Sequence, residues 1–562
     1  MVKPIVQTRI LISCALLLMI FIVIGYQLYS LQIIHNLSYQ AQALKNRLHD
    51  TIIENERGRI FDRNGVTLAS YRTEPTLHVP DQDSLKTLAR ILQKPNIEHT
   101  KTPTLIKQLS TEDIQHFYEH SHQMPNIKVR EHTIRYYHDD EAFAHVVGYI
   151  GDRQEKNQTK ISNKYGISGI EQYYDSLLSA HPSIKTYEYS STGQRQNLVS
   201  ESDGQRGNNI TLTIDARLQK KAYELLKQYT GALVALNPTN GEILTLVSTP
   251  SYSNNNLIRG IHDSRNKHTS QLNRAINGQY PPASTIKPFI ALHALSHNNI
   301  SEQYQIHDPG YYVVGNKVFN DWYKKGQGDV NLNRAIALSS DTYFYHIAEV
   351  MGIDAIESVL SAFRFGQSPT LDLGHPSPGL VPSERWKLQE KSERWYTGDT
   401  VITAIGQGSL LATPLQMAFA AGILGNKGLT KKPHLRLSSE ADSVTDSIAI
   451  SQYGQKEYDI IIQAMIGVVS GNETLRTGRL LNSHLYDLAA KTGTAQKVSV
   501  EYASNNEDNK IKDHSMLIGF LPHDQPNLAF AIVIENQPGT ANRIAKEWLE
   551  LYATLYNGKI KD

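Results

Sequence analysis

The chain has 562 residues, which at roughly 150 residues per domain corresponds to three or four domains. Apolar residues make up 40% and charged residues 20%, so wholesale disorder is excluded. Lys and Arg number 56 against 55 Asp and Glu, a formal net charge of +1, which excludes the broad basic surface a dedicated nucleic-acid binder needs to displace counterions. The single cysteine, Cys14, leaves no intramolecular disulfide and no thiolate metal cluster.

Lys3 and Arg9 precede an apolar stretch over residues 10–34, and the next charged side chain is Lys45. A membrane span needs about 20 mostly apolar residues to cross about 30 Å of hydrocarbon. Tyr26 and Tyr29 suit the outer headgroup level, and the basic residues ahead of the span predict a cytoplasmic N-terminus. A cleaved signal peptide is the competing reading. Ala41-Gln42-Ala43 reads A-x-A but lies well beyond the apolar core. An uncleaved anchor with one extracytoplasmic body after it is therefore expected.

Beyond the span, residues 52–66 read as two extended runs meeting at Asn64-Gly65, a dipeptide that accepts positive φ at both turn positions. Residues 75–160 are polar and carry no chemical motif that holds up, and an amphipathic helix is predicted from Gly169-Ile170-Glu171. Strand-like segments then run to Arg206. A new body opens with a strand over 208–214, Asp215 capping a helix over 217–229, and two apolar strands around Asn240-Gly241. Thr413-Pro414-Leu415-Gln416 is a capping box with Pro at the first helical position, and its helix stops at Gly425. Buried strands are predicted at 515–521 and 528–535, and a final helix at 541–556. Strands flank helices without regular alternation, which predicts an α+β fold with a mainly antiparallel sheet.

Three short segments carry chemistry. In Pro281-Pro282-Ala283-Ser284-Thr285-Ile286-Lys287-Pro288, the ring of Pro288 limits how far back the following helix reaches, so it begins near Ser284. Ser284 then sits at free backbone N–H groups, with Lys287 on the same face one turn along. A serine hydroxyl needs an adjacent base, which a partly buried lysine of lowered pKa can supply. S-x-x-K alone is unspecific, with roughly two chance matches in a chain of this length. Ser339-Ser340-Asp341 follows a helical run over 332–338 and by itself reads as a helix N-cap. Lys491-Thr492-Gly493-Thr494 ends an apolar strand run. There Gly493 leaves the strand edge bare for an extended peptide, and Lys491 with the threonine hydroxyls offers partners for a carboxylate.

In this order the three segments resemble the active-site serine family of penicillin-binding proteins and related β-lactamases. Arg57-Gly58-Arg59-Ile60-Phe61-Asp62-Arg63-Asn64-Gly65 and Gly169-Ile170-Glu171 look like pedestal signatures of class B members. Asn273-Arg274-Ala275, Gly406-Gln407-Gly408 and Thr413-Pro414-x-Gln416 look like their transpeptidase-domain signatures. The resemblance covers nearly the whole chain. It implies an anchor at 1–34, a pedestal (dimerisation-type) domain at 35–207 and a penicillin-binding/β-lactamase-like transpeptidase domain at 208–562. Asp341 stands where most of the family has Asn, which places the chain with the elongation-specific members. Some of these hold zinc through two Asp, one His and one Cys. Here Asp308 and Asp321 match, but Gln327 and Ser340 stand in place of His and Cys, so no metal is expected.

Carried over, the resemblance implies acyl transfer on peptidoglycan stem peptides during elongation and rod-shape maintenance. Ser284 is the nucleophile, Lys287 the base, and Ser339, between Lys287 and Lys491, relays the proton to the departing D-alanine. Backbone N–H groups of Ser284 and Thr494 form the oxyanion hole, while Lys491, Thr492, Gly493 and Thr494 hold the terminal carboxylate. Asp341 positions the network. β-Lactams would acylate Ser284. The implied partners are the membrane glycan polymerase of the elongation complex and its shape-determining scaffold; the implied location is the bacterial inner membrane, single-pass, with the catalytic domain periplasmic. A D,D-carboxypeptidase using the same site with water, or a non-catalytic β-lactam sensor or scaffold, remains open. No E-x-x-L-N helper supports a β-lactamase, and H-x-x-E-H at His116–His120, without a third ligand, reads as a solvated helix.

Overall fold

The apolar segment forms a helix, Pro4–Tyr29, continued by a π-helical turn, Ser30–Ile34. A helix satisfies its own backbone groups, as hydrocarbon requires. Thr8–Ile34, 27 residues long, is a candidate membrane span by length and composition. The structure, a computed structural model, describes residues 4–556 except 54, 108, 153–163, 191, 262–268, 370, 438–446 and 497–512. Lys3 and Glu54, both within stretches read above, lie outside the described residues.

The described residues up to Gly58 together with Ser179–Asn208 form one compact unit, and those of Arg59–Leu178 together with Asn209 onward form a second. In the first unit a helix, Asn36–Arg47, leads into an antiparallel three-stranded sheet of Leu48–Ile53, Ser183–Tyr189 and Arg195–Ser202, with Ser183–Tyr189 central.

The second unit opens with a sheet built on the long strand Thr67–Val79. It pairs antiparallel with Ile60–Phe61, Thr104–Ile106 and Lys128–Tyr137, and Ile210–Thr211 adds in parallel to Ile60–Phe61. Two details correct the expectations. Only Ile60–Phe61 is the first arm of the Asn64-Gly65 turn, because Leu48–Ile53 pairs in the other sheet. Positive φ occurs at Gly65 alone (82°), since the Asp62 carboxylate accepts the N–H groups of Asn64 and Val66 at 2.8 and 2.7 Å and fixes the turn from inside. The predicted helix at Gly169 is two short ones, Gly169–Tyr173 and Asp175–Leu178.

The remainder is α+β, as expected. Helix α1 (Ala216–Leu226) precedes strands β1 (Gly231–Leu236) and β2 (Ile243–Thr249). Helices α2 (Lys287–Ser296), α3 (Leu332–Leu338), α4 (Asp341–Ala362), α5 (Pro414–Gly425) and α6 (Gln455–Ser470) follow. Strands β3 (Ala489–Ala495), β4 (His514–Leu521) and β5 (Leu528–Ile534) and helix α7 (Thr540–Tyr556) complete it. The sheet order is β2-β1-β5-β4-β3 and every pairing is antiparallel. One face carries Leu233, Phe530 and Ile532 against α1 and α7, where Trp548 is fully buried. The other carries Val234, Met516 and Ala531 in one cluster with α2, α4 and α5. Both faces are covered, so β1, β4 and β5 are buried along their whole length. Strand β3 is left at an edge.

Candidate active site

Ser284 lies in a 3-10 turn, Ala283–Ile286, directly ahead of α2. Pro288 occupies the first turn of α2, where its missing N–H costs nothing, and regular α geometry begins only at Lys287. The N–H of Lys287 donates to the Ser284 carbonyl, which ties the two residues of the motif into one turn. Ala283 adopts a left-handed conformation (φ 51°) that costs a non-glycine residue on the order of 1 kcal/mol. Its N–H donates to Gly406 O at 2.8 Å. A Cβ at Gly406 would lie 2.1 Å from Ala283 O, so only glycine allows this approach. The Gly406-Gln407-Gly408 signature thus supports the turn that presents Ser284.

Ser339 ends α3 in the left-handed region (φ 60°), and its N–H reaches back to Ala335 O and Ile336 O. Ser340 caps α4 through its Oγ, which accepts the Tyr343 N–H at 3.2 Å, and Asp341 is the first residue of α4. The expected cap is therefore present, and α4 runs to Ala362 with a break at Gly352. Strand β3 brings Lys491 to the same place. Gly493 faces the Ser284 turn, and a Cβ there would lie 3.0 Å from Thr285 Cγ2 and 3.2 Å from Pro282 O.

Four predicted residues meet in one buried cluster. Lys287 Nζ donates to Asp341 Oδ1 at 2.7 Å, to Ser339 O at 2.8 Å and to Ser339 Oγ at 3.4 Å. Lys491 Nζ donates to Ser339 Oγ at 2.8 Å and to Thr492 O at 2.9 Å. Both amines are fully buried. Burial, then the like charge of Lys287, push Lys491 well below its ordinary 10.5, against the pull of Asp341. Burial pushes Asp341 up from 3.8 while Lys287 opposes it. Of the remaining predicted residues, Thr492 donates its hydroxyl to Thr477 Oγ1 at 2.6 Å, and Thr494 is exposed on the edge strand.

Thr477 was not readable from the sequence, where it is one threonine in a loop. Its N–H donates to Ala337 O at 3.3 Å, two residues before Ser339, so it joins the second motif to the third. Asn542 of α7 holds it through Thr477 O at 3.1 Å. Trp322 was missed for the same reason; its Nε1 donates to Leu338 O at 3.0 Å.

The place the resemblance assigns to zinc is taken up by hydrogen bonds. Asp308 accepts from Gly310 N at 2.8 Å and Ser340 Oγ at 2.7 Å. Asp321 accepts from Tyr323 N at 3.0 Å, Gln327 Nε2 at 3.3 Å and Thr342 N at 2.9 Å. A serine hydroxyl and a carboxamide replace the thiolate and imidazole that suit zinc. This donor set does not fit the metal. His116–His120 lies on and just after the helix Thr111–Glu119, with His116 and Glu119 exposed.

Comparison with known proteins gives the ancestry. Residues 231–550 match the penicillin binding protein transpeptidase domain, and residues 52–212 match the penicillin-binding protein dimerisation domain. The chain belongs to the penicillin-binding protein transpeptidase family. It is 34% identical to peptidoglycan D,D-transpeptidase MrdA of Acinetobacter baumannii over 97% of this chain and 87% of that protein. The Escherichia coli K12 protein of the same name is 31% identical over 94% of this chain and 91% of its own length. The penicillin-binding protein PBP2 of Helicobacter pylori, solved in complex with MreC, matches with a TM-score of 0.76 at 27% identity, over 91% of this chain and 99% of that one. Pseudomonas aeruginosa PBP2 in complex with WCK 5153 matches with a TM-score of 0.69 at 30% identity, over 91% and 98%. Within this penicillin-binding protein, the signature Thr413-Pro414-x-Gln416 is structural. Gln416 closes the capping box with Thr413 and donates to Pro378 O at 2.7 Å and Gln367 O at 2.9 Å, pinning the chain that leads into α5.

Proposed function

We propose that Ser284 is the acylated nucleophile of this enzyme. The protein is an elongation-type peptidoglycan D,D-transpeptidase, in keeping with relatives of that activity along nearly the whole chain. The observation that carries the site assignment is the convergence of Lys287, three residues after Ser284 in the same turn, and Lys491 on Ser339 Oγ, at 3.4 and 2.8 Å.

The chemistry follows from the charges. Lys287 is ion-paired with Asp341, so its extra proton must leave before it can act as a base. Asp341, which accepts from that amine at 2.7 Å, is the carboxylate placed to receive it. The free amine takes the Ser284 proton as Oγ bonds to the carbonyl carbon between the two terminal D-alanines. Backbone N–H groups of Ser284 and Thr494 stabilise the oxyanion, an effect worth several kcal/mol, about 3–4. As the C–N bond breaks, Ser339 passes a proton to the departing D-alanine amine. An arriving C-terminal carboxylate favours the ammonium form of Lys491, against the burial and like charge that hold its pKa down, with Thr492 and Thr494 alongside. An amine of a neighbouring stem peptide then attacks the acyl-enzyme, forming the cross-link and returning the Ser284 proton.

β-Lactams, which mimic the D-Ala-D-Ala end, acylate the same hydroxyl. The Helicobacter relative, solved in complex with MreC, supports docking of a scaffold partner; a membrane glycan polymerase is the further partner that would supply nascent strands. The candidate span, with Arg9 at its start, sits in the inner membrane with a cytoplasmic N-terminus and a periplasmic catalytic domain. Product analysis with nascent glycan strands tests the reading. Native protein yields cross-linked dimers and free D-alanine, and Ser284→Ala yields neither. Free D-alanine without cross-links would instead identify a carboxypeptidase.

A further inference from the structure

The segment 308–327 grips the turn that carries Ser339 from three sides. Asp308 Oδ2 accepts from Ser340 Oγ at 2.7 Å, Asp321 Oδ2 accepts from Thr342 N at 2.9 Å, and Trp322 Nε1 donates to Leu338 O at 3.0 Å. These contacts bracket Ser339 from the residue before it to the third after it. The segment is itself tied at its base, where Gln305–Asp308 pairs with Gly328–Asn331, and in its middle, where Tyr311–Val314 pairs with Lys317–Asn320. Asp308, Asp321 and Ser340 are buried, at 1%, 2% and 0% exposure.

We infer that this hydrogen-bonded clasp positions the Ser339 turn at the place where, by the resemblance, some elongation-type members hold zinc, and that it does so without a metal. Each carboxylate oxygen is already an acceptor. Asp308 Oδ1 takes Gly310 N and Oδ2 takes Ser340 Oγ; Asp321 Oδ1 takes Tyr323 N and Gln327 Nε2, and Oδ2 takes Thr342 N. Ser340 Oγ accepts from Tyr343 N while it donates to Asp308, so both of its functions are occupied. A divalent ion would have to displace these donors and would find neither sulfur nor imidazole in return. Asp308, Asp321 and Ser340 are positioning residues. They hold the left-handed Ser339 where the amines of Lys287 and Lys491 converge.

The test uses the full-length chain in detergent, purified from zinc-supplemented cells, with elemental analysis and fluorescent-penicillin acylation as readouts. Native protein is expected to carry far less than one zinc per chain and to acylate equally with and without a chelator. One zinc per chain with chelator-sensitive acylation overturns the inference. Ser340→Ala should slow acylation by roughly 10- to 100-fold with little change in the apparent affinity for penicillin; unchanged acylation overturns the positioning role. The double variant Gln327→His with Ser340→Cys should take up about one zinc per chain and become chelator-sensitive, a gain that a merely structural site would not show. If it takes up no zinc, the equivalence of clasp and metal fails. The acylation readout rests on Ser284 as nucleophile, but metal content does not. If that assignment is wrong, native protein gives a Ser284-independent signal while the zinc results still decide the inference.

Discussion

An amine buried beside a second amine gives up its proton more easily than one in water, because charge is disfavoured twice, by desolvation and by repulsion. Lys491 is in that position. Its folded-state pKa lies well below 10.5, so between the two values the unfolded chain binds one proton more than the folded chain, and stability rises with pH across that window. Lys491→Met removes the term. The slope of Tm against pH from neutral to mildly alkaline should be smaller in this variant than in native protein, while acylation is lost; equal slopes contradict the placement of Lys491 in a buried cluster. Ser339→Ala removes the oxygen on which both amines converge. Acylation should fall by on the order of 100-fold with little change in Tm, measured by penicillin labelling and calorimetry.

At the scale of elements, the site depends on two close backbone approaches. Gly493→Val places a branched side chain where a Cβ alone would already lie 3.0 Å from Thr285 Cγ2, driving β3 away from the Ser284 turn. The fold should persist and acylation should be lost. Gly406→Ala meets both a positive φ of 78° and the Ala283 carbonyl, and should cost about 3 kcal/mol in chemical denaturation. Much of this architecture was readable in the sequence because local chemistry set it. Pro288 fixed where α2 begins, Thr413 and Gln416 marked the start of α5, and β4 and β5 showed as apolar runs. What escaped notice depends on distant partners. Nothing next to Thr477 in the chain announces Thr492, nothing next to Glu171 announces Arg135, and the single positive φ at Gly65 follows from the Asp62 side chain folding back on its own turn.

Across the whole molecule, buried polar links join segments far apart in sequence. Asp62 accepts the Ala216 N–H at 3.0 Å, so the signature around Asn64-Gly65 also caps α1. Arg135 and Glu171 form an ion pair at 2.8 Å with both side chains fully buried. Arg135→Met leaves a buried carboxylate without its arginine counter-ion and should cost roughly 3–5 kcal/mol, whereas Arg135→Met with Glu171→Leu should recover most of that loss in denaturant titrations. Burial pushes Asp215 up, but hydrogen bonds from Arg217 and Tyr556 outweigh it and hold it at about 2. A depressed carboxylate stabilises the fold above its unfolded value of 3.8, and that contribution, on the order of 2 kcal/mol, disappears as pH falls toward 2. Asp215→Asn should flatten acid unfolding in that window. The central claim, that Ser284 is the acylated hydroxyl, is tested most directly by labelling the full-length protein in membranes with a penicillin and mapping the adduct by peptide mass spectrometry. The adduct is predicted on the peptide containing Ser284 and should vanish in Ser284→Ala. An adduct on another residue, or undiminished labelling of that variant, would contradict the account.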